Sequence, residues 1–301
     1  MSAEVVAVDL GQTKLLAGRV TAGLEIAERS VVPSPLESRE ELLEVLDERI
    51  RAHWSEDTVA LALACACTVD HRTGTLRWAG RLPLDGYPIQ PFLEERFGVP
   101  VVVENDANAA AVGEHRAGAG VGVDNLVLLT IGTAVGGGLI VNGSLCRGFT
   151  GAAGEVGHFS VDSFGPRCVD GCRGIGHLDV IGSGTALDEA ARAAGAADAR
   201  ALVELARAGD ARARTAVARV GRRLGRGIAT LVSVLDPELV LLAGGAAAAG
   251  ELLVDPIRRT VERLALPYAV AQPRIELAEL GTNAELVGGA ALAFDAAGVT
   301  A

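Results

Sequence analysis

Residues 5–20 read Val5-Val6-Ala7-Val8-Asp9-Leu10-Gly11-Gln12-Thr13-Lys14-Leu15-Leu16-Ala17-Gly18-Arg19-Val20, and the class of fold follows from them. A β-branched run ends at Asp9, and the apolar pattern resumes from Leu15 to Val20. Apolar runs on both sides of a polar, glycine-containing turn are typical of a β-hairpin. These residues therefore predict a strand, a turn and a second strand.

A second hairpin of the same kind is predicted in the middle of the chain. Leu126 to Val141 repeats the pattern of apolar strand, Thr/Gly turn and apolar strand, which suggests two related halves. Predicted strands alternate with helices elsewhere, and Ser38 with Glu41 forms a capping box before a helix. The other elements expected are strands 59–66, 99–104 and 239–242, and helices 91–97, 108–117, 210–235 and 285–294. The chain is therefore predicted to be an α/β protein. Because no Pro/Ser-rich linker appears in the sequence, its domains are expected to pack closely around a shared cleft.

Composition and charge exclude several classes of protein. The 301 residues carry a formal net charge of −11 and are 3% aromatic, which argues against a nucleic-acid binder with a basic face and stacking platforms. Residues 126–146 carry no charge, but their polar glycine-rich turn favours two strands over a membrane span. The five cysteines form no disulfide framework and Met1-Ser2-Ala3-Glu4 does not resemble a signal peptide, so a cytoplasmic protein without a membrane partner is expected.

The turn of the first hairpin is the first candidate site. Asp9, Gly11, Gln12, Thr13 and Lys14 offer close backbone approach, hydroxyl and amide groups and an ammonium group to a phosphate. Asp9 could hold a water bound to Mg²⁺. Lys14 is the one lysine among 27 basic residues, although composition bias explains why lysine is rare. The alternative is a plain hairpin turn.

Two further glycine-rich stretches are candidate nucleotide sites. The turn of the second hairpin contains Thr130, Gly132, Thr133, Gly136 and Gly137, which exceeds what a hairpin requires and suits a second phosphate. The strand 239–242 is followed by Gly244 and Gly245, where a nucleotide ring or ribose could approach the backbone. This last pair is equally compatible with a turn that leads into a helix.

A polar segment, Glu104-Asn105-Asp106-Ala107-Asn108, lies between a predicted buried strand and a helix. Asn105 could orient a hydroxyl substrate, and Asp106 could accept its proton. The alternative is that Asp106 only caps the helix.

A fourth group combines the residue types that bind zinc. His158, in the segment Gly154-Glu155-Val156-Gly157-His158, is followed by Cys168, Cys172 and His177. Two thiolates and two imidazoles match a closed tetrahedral zinc site, although the cysteines are spaced more widely than in a Cys-x-x-Cys pair. A packed loop without metal is the alternative.

In this order, the motifs resemble those of the ROK family (repressor, open reading frame, kinase), which belongs to the actin, Hsp70 and sugar kinase superfamily. The resemblance runs from Val5 to about Ala291. It implies two actin-like (ribonuclease H-like) domains with an interdomain cleft. The smaller domain would hold residues 1–115 and the C-terminal helix 285–301, and the larger would hold 116–284 with a zinc-loop region at 154–179.

The resemblance also implies an activity and a set of roles. The protein would be an ATP-dependent sugar kinase with Mg²⁺ and structural Zn²⁺, and a homodimer. Asp106 would be the general base, and the sugar would be bound by Asn105, Glu155, His158 and Asp179. The glycine-rich turns would bind ATP, and zinc would be held by His158, Cys168, Cys172 and His177.

Departures from the glucokinase pattern leave the sugar open. Gln12 stands where a glycine is usual, Gly80-Arg81-Leu82 stands near a usual sugar contact, and Asp179 replaces a longer glutamate. The acceptor could be glucose or an amino sugar such as kanosamine, N-acetylmannosamine or N-acetylglucosamine. The alternatives are a cyclitol kinase of a specialised biosynthetic pathway and a non-catalytic ROK sugar sensor. A repressor is not expected, because only eight residues precede Asp9 and the chain is acidic.

Overall fold

The computed structural model of the protein describes residues 3–169, 172–270 and 274–301. The described chain forms two compact units, called unit 1 and unit 2 below. Unit 1 contains the residues up to Val121 with Leu145–Ala153 and Thr282–Ala301, and unit 2 contains Gly122–Ser144 and Gly154–Gly281. Each unit has a five-stranded sheet and helices, so the predicted α/β class is confirmed.

Unit 1 contains the strands β1 (Glu4–Leu10), β2 (Lys14–Thr21), β3 (Ile26–Pro33), β4 (Thr58–Cys65), β5 (Thr68–Asp70), β6 (Thr75–Arg77) and β7 (Val101–Asn105), and the helices α1 (Arg39–Ala52), α2 (Ile89–Phe97), α3 (Asp106–Ala117) and α10 (Ala284–Ala296). Its main sheet has the strand order β3-β2-β1-β4-β7, and β5 and β6 form a separate two-stranded sheet. β1 pairs antiparallel with β2, which confirms the first predicted hairpin, and parallel with β4.

Both faces of β1 are buried, which explains why its residues from Val5 to Val8 are apolar without a break. Val6, Val8 and Leu10 face a core that includes residues of α1 and α2. Val5 and Ala7 face the opposite core, which is closed by residues of α10. Because β1 lies in the middle of the sheet, Asp9 near its end is held on a rigid element.

The first residues of two predicted helices are set by side chains that cap their N-termini. The Ser38 hydroxyl accepts a hydrogen bond from the Glu41 amide (3.1 Å), as the capping box predicted. The helix expected from residue 108 begins two residues earlier, at Asp106, because the side chain of Asn105 accepts from the Asn108 amide and caps it.

Unit 2 contains the strands β8 (Leu126–Ile131), β9 (Val135–Val141), β10 (Ser144–Leu145), β11 (Leu239–Ala243) and β12 (Arg274–Leu277), and the helices α4 (Leu178–Gly182), α5 (Gly184–Ala194), α6 (Ala199–Arg207), α7 (Ala211–Leu235), α8 (Glu251–Leu264) and α9 (Pro267–Val270). Its sheet has the strand order β10-β9-β8-β11-β12. β8 pairs antiparallel with β9 and parallel with β11, so the second predicted hairpin is confirmed.

The two sheets share one plan. In each, a central strand pairs antiparallel with the next strand of the chain and parallel with a strand that comes later. The β8–β9 hairpin also accounts for the uncharged residues 126–146, and no helix among the described residues is long and apolar enough to cross a bilayer.

Candidate active site and metal centre

The turn between β1 and β2 is tight and presents polar groups to solvent. The Gly11 amide donates to the Lys14 carbonyl oxygen (3.0 Å), and the Ser34 hydroxyl donates to the Gly11 carbonyl oxygen (2.7 Å). Thr13 and Lys14 are exposed, whereas Gln12 is half-buried. A Cβ atom on Gly80 would lie 2.5 Å from Nε2 of Gln12, so the amide of Gln12 occupies the space beside that glycine.

Three carboxyl groups influence one another near this turn. Asp9 is buried one residue before the end of β1. Burial, followed by the charges of Glu285 and Asp106, raises its pKa well above the usual range, while Lys14 lowers it. Burial and the charge of Asp106 raise the pKa of Glu285, in the first turn of α10, to about 7. Carboxyl oxygens are the hard donors that Mg²⁺ prefers, so Asp9 suits the expected ion.

The segment after β7 places Asn105 and Asp106 at the start of α3. Asn105 accepts from the Asn108 amide (3.0 Å) and donates from Nδ2 to the Cys67 carbonyl oxygen (3.0 Å). Asn105 is therefore the cap of α3, and the alternative reading of Asp106 as the cap is wrong. One oxygen of Asp106 accepts from the Ala107 amide (2.8 Å).

The side chain of Glu104 is 1% exposed and contacts this segment from the interior of unit 1. Its Oε2 accepts from Nε of Arg147 (2.6 Å), and its Oε1 accepts from the Asn105 amide (2.9 Å) and from Nδ2 of Asn108 (3.0 Å). Nε2 of His71 lies 3.5 Å from Oε1. Burial alone would raise the pKa of Glu104, but the His71 hydrogen bond and the Arg147 charge hold it below its usual value.

Unit 2 brings the second and third predicted nucleotide stretches into contact. Gly244, at φ +84°, follows β11, and a Cβ atom there would lie 2.7 Å from the backbone nitrogen and oxygen of Ile131, at the end of β8. The glycine is therefore required for the close approach of Gly244 to the turn that contains Gly132 and Thr133. Gly245 begins a short 3₁₀ helix, 245–249.

Two of the predicted sugar ligands of unit 2, Glu155 and His158, lie just before and at the end of a short 3₁₀ helix, Val156–His158. Glu155 is exposed. Asp179 is 5% exposed in α4, and its Oδ1 accepts from the Val135 amide (2.6 Å). Its contact with a sugar stays a prediction.

The four predicted zinc ligands converge, and their donor atoms all lie within 4.8 Å of one another. Nδ1 of His158 and Nδ1 of His177 are 3.4 Å apart, and Sγ of Cys172 lies 3.5 Å and 3.8 Å from Nδ1 of His177 and His158, respectively. Bond lengths of 2.0–2.3 Å at a tetrahedral zinc require separations of about 3.3–3.8 Å between donors. The donor set fits zinc and these three separations lie in that range, while Sγ of Cys168 lies 3.9 Å from Nδ1 of His158. Asp170 and Gly171, between the cysteines, lie outside the described residues.

Comparison with known proteins identifies the family. The model of the ROK family matches residues 5–296. The chain belongs to the ROK family. This ROK protein is 34% identical to a glucokinase of Streptomyces coelicolor over 96% of both chains, and 35% identical to an N-acetylmannosamine kinase of Citrobacter koseri over 95% of this chain and 97% of the relative.

A solved structure agrees with this assignment. The ROK family glucokinase from Streptomyces griseus, crystallised with glucose and AMPPNP, superposes with a TM-score of 0.84 at 33% identity and covers 97% of this chain and 100% of its own. The ROK protein described here therefore has the two-domain, actin-like α/β fold of its relatives, as the sequence predicted.

Sequence reasoning missed three residues that the fold brings to the predicted site residues of unit 1. His71 and Arg147 contact Glu104, and Glu285 interacts with Asp9 and Asp106. No local sequence pattern predicts these contacts, because the partners are far apart along the chain; Arg147, for example, lies 43 residues from Glu104. The identity of Glu104 as a charged residue at the end of a buried strand was the one available signal.

Proposed function

We propose that this ROK protein transfers the γ-phosphoryl group of ATP to a hydroxyl group of a hexose or an amino sugar. Glucokinases and N-acetylmannosamine kinases align with it over nearly the whole chain, and one aligned structure binds glucose and AMPPNP. The observation that carries the proposal is the placement of Asp106. It begins α3 directly after a parallel strand and interacts with Asp9 at the end of the central strand.

Asp106 is the proposed general base. A carboxylate at this position can accept the proton of the attacking hydroxyl, while Asn105 beside it orients the sugar. The Glu104 network supports this role, because it fixes the backbone amide of Asn105 through a buried, charge-assisted contact. Glu155, His158 and Asp179 are the sugar ligands proposed in unit 2.

The glycine-rich turns are the proposed nucleotide site. Gly11, Gln12, Thr13 and Lys14 would bind phosphate from unit 1. In unit 2, Thr130, Gly132, Thr133, Gly136 and Gly137 would bind phosphate, and Gly244 with Gly245 would face the adenosine. Asp9 would hold Mg²⁺ through water, and the ion would neutralise charge on the transferred phosphoryl group.

The Cys/His cluster is the proposed zinc site. His158, Cys168, Cys172 and His177 would hold the ion, which would close the loop between 158 and 177. Because His158 is also a proposed sugar ligand, a bound ion would fix the orientation of its ring. The homodimer implied by the family resemblance stays a prediction.

The identity of the acceptor is tested by measuring ADP release with Mg-ATP. The acceptors are glucose, mannose, N-acetylated and free amino hexoses, and cyclitols. We expect a hexose or amino hexose to stimulate ADP release, and Asp106→Asn to lower kcat at least about a hundredfold because the base is lost. Asp255→Asn, a matched change on the exposed side of α8, should retain wild-type turnover.

The outcomes separate the alternatives. Selective turnover of a cyclitol would replace the sugar kinase with a cyclitol kinase. If no acceptor raises ADP release above the Asp106→Asn background, the protein is not a kinase of these substrates.

A further inference from the structure

One short segment of unit 2 holds the tip of the β8–β9 hairpin at three points. The Gly184 amide donates to the Gly132 carbonyl oxygen (2.7 Å), the Thr185 hydroxyl donates to the Thr133 carbonyl oxygen (2.8 Å), and Oδ1 of Asp179 accepts from the Val135 amide (2.6 Å). Three backbone groups of the four-residue tip 132–135 are therefore fixed by residues 179–185. The conformation of the tip depends on this segment.

The bond to Asp179 differs from the other two. It is buried, since Asp179 is 5% exposed and Val135 is also 5% exposed. It is also charge-assisted, because the acceptor is a carboxylate. If the carboxylate is removed, the buried Val135 amide loses this acceptor, which costs more than the loss of an exposed hydrogen bond.

The carbonyl oxygen on the other side of Val135 is also closely packed. A Cβ atom on Gly157 would overlap that oxygen and would lie 3.5 Å from Cβ of Asp179. Both backbone groups of Val135 are therefore contacted by residues from two chain segments, around 157 and 179. These contacts leave the tip little freedom to shift, so a small change at residue 179 is transmitted to the turn.

We infer that Asp179 is a positioning residue for the nucleotide: its carboxylate fixes the Val135 amide and thereby sets the turn that receives a phosphate of ATP. This inference rests on the proposed function, because it requires that the turn bind a nucleotide. It assigns Asp179 a role in nucleotide binding in addition to the predicted contact with the sugar. The two roles separate experimentally, since one affects the affinity for the nucleotide and the other the KM of the acceptor.

The test compares four proteins by titration calorimetry with Mg-AMPPNP and by initial rates with the acceptor that the ADP-release assay identifies. They are the wild type, Asp179→Ala, Asp179→Asn and Asp188→Ala. Asn keeps an Oδ1 acceptor for the Val135 amide, whereas Ala does not. Asp188→Ala is the matched control, because Oδ1 of Asp188 also accepts from a backbone amide, that of Ala199 (2.7 Å), at the start of a neighbouring helix.

We expect Asp179→Ala to raise the Kd for Mg-AMPPNP by about tenfold or more, the effect of losing one buried charge-assisted hydrogen bond. Asp179→Asn should restore the Kd to within about threefold of the wild type, and Asp188→Ala should leave it unchanged. Thermal melts establish that each variant is folded. If Asp179→Ala does not fold, Thr185→Val tests another of the three contacts to the hairpin tip. It removes one exposed donor and should raise the Kd by about threefold.

Each failure has its own signature. If Mg-AMPPNP does not bind the wild type, the proposed function is wrong and the inference falls with it. If the wild type binds Mg-AMPPNP and the folded variants at Asp179 and Thr185 bind it equally well, the inference alone is overturned. An increase confined to the KM of the acceptor in Asp179→Ala would leave Asp179 as a sugar ligand only.

Discussion

Glu285 shows how one residue can limit the stability of a site. Glu285 is half-buried in the first turn of α10. Desolvation of its carboxyl group, together with the charge of Asp106, raises its pKa to about 7. The charges of Asp106, Glu114 and Lys14 shift the pKa of Glu285. The charge of Glu285 in turn raises the pKa of Asp9. In the unfolded chain the same group titrates near its ordinary value of 4.5.

This difference predicts how stability depends on pH. Between about pH 4.5 and 7 the folded protein holds the Glu285 proton more tightly than the unfolded chain does, so the free energy of unfolding falls as the pH rises through this window. The loss is at most on the order of 3 kcal/mol. Glu285→Gln, a neutral substitute of similar shape, should therefore be more stable than the wild type at pH 8 and about equally stable at pH 4.5.

Urea denaturation at the two pH values, without Mg²⁺ or nucleotide, measures the effect. Glu276→Gln on β12, an exposed change of the same kind, serves as the control and should change stability little at either pH. A gain in Glu285→Gln that is the same at pH 4.5 and pH 8 would show that ionisation of Glu285 does not destabilise the fold.

The helices α3 and α10 pack with their backbones in close contact. Gly288 of α10 lies directly against the backbone of α3, where a Cβ atom would overlap the Ala109 carbonyl oxygen and lie 2.5 Å from the Gly113 nitrogen. The neighbouring Gly289 has only a side-chain atom nearby, Cβ of Ala62 at 3.2 Å. Because backbone cannot yield as a side chain does, the two positions differ although they adjoin.

Gly288→Ala should destabilise unit 1 by about 3 kcal/mol or more, since it forces apart the two helices that carry Asp106 and Glu285. Gly289→Ala should change the free energy of unfolding by less than about 1 kcal/mol, because the better helix propensity of alanine offsets a slight strain. Chemical denaturation of both variants decides the matter. Equal stability of the two would contradict the proposed backbone contact.

The described chain consists of two units, each built on one five-stranded sheet, and the Cys/His cluster belongs to unit 2. A bound zinc ion would close the loop between residues 158 and 177 and contribute to the stability of that region. The loop also leads into the contacts at Gly157 and Asp179 that hold Val135. Metal occupancy is therefore expected to influence the turn 130–138 but not the sheet of unit 1.

Hydrogen exchange with and without a chelator tests this expectation. Protein purified without chelator should contain about one zinc per chain by elemental analysis. Removal of the metal should speed exchange in residues 154–182 and 130–138 and leave β1, β4 and α3 unchanged, and added zinc should restore protection. Sub-stoichiometric zinc in a protein with full protection of residues 154–182 would exclude a structural metal.

Much of the fold was predictable because it depends on local pattern. The two hairpins, the Ser38 cap and the long helix α7 follow from residue periodicity and turn chemistry, which act over a few positions. Element boundaries follow less directly from the pattern: α3 begins two residues before the predicted start, because Asn105 is its N-terminal cap. The candidate zinc ligands were also found from residue type alone.

The sequence by itself determined the α/β class, the family and the order of the motifs, because strand, turn and glycine patterns are local. Only the tertiary structure decided which charges meet. It paired Glu104 with Arg147, placed Glu285 beside the carboxyl groups of unit 1, and joined Asp179 to the Val135 amide. Such contacts join residues far apart along the chain, and their energies depend on burial, which a linear pattern does not specify.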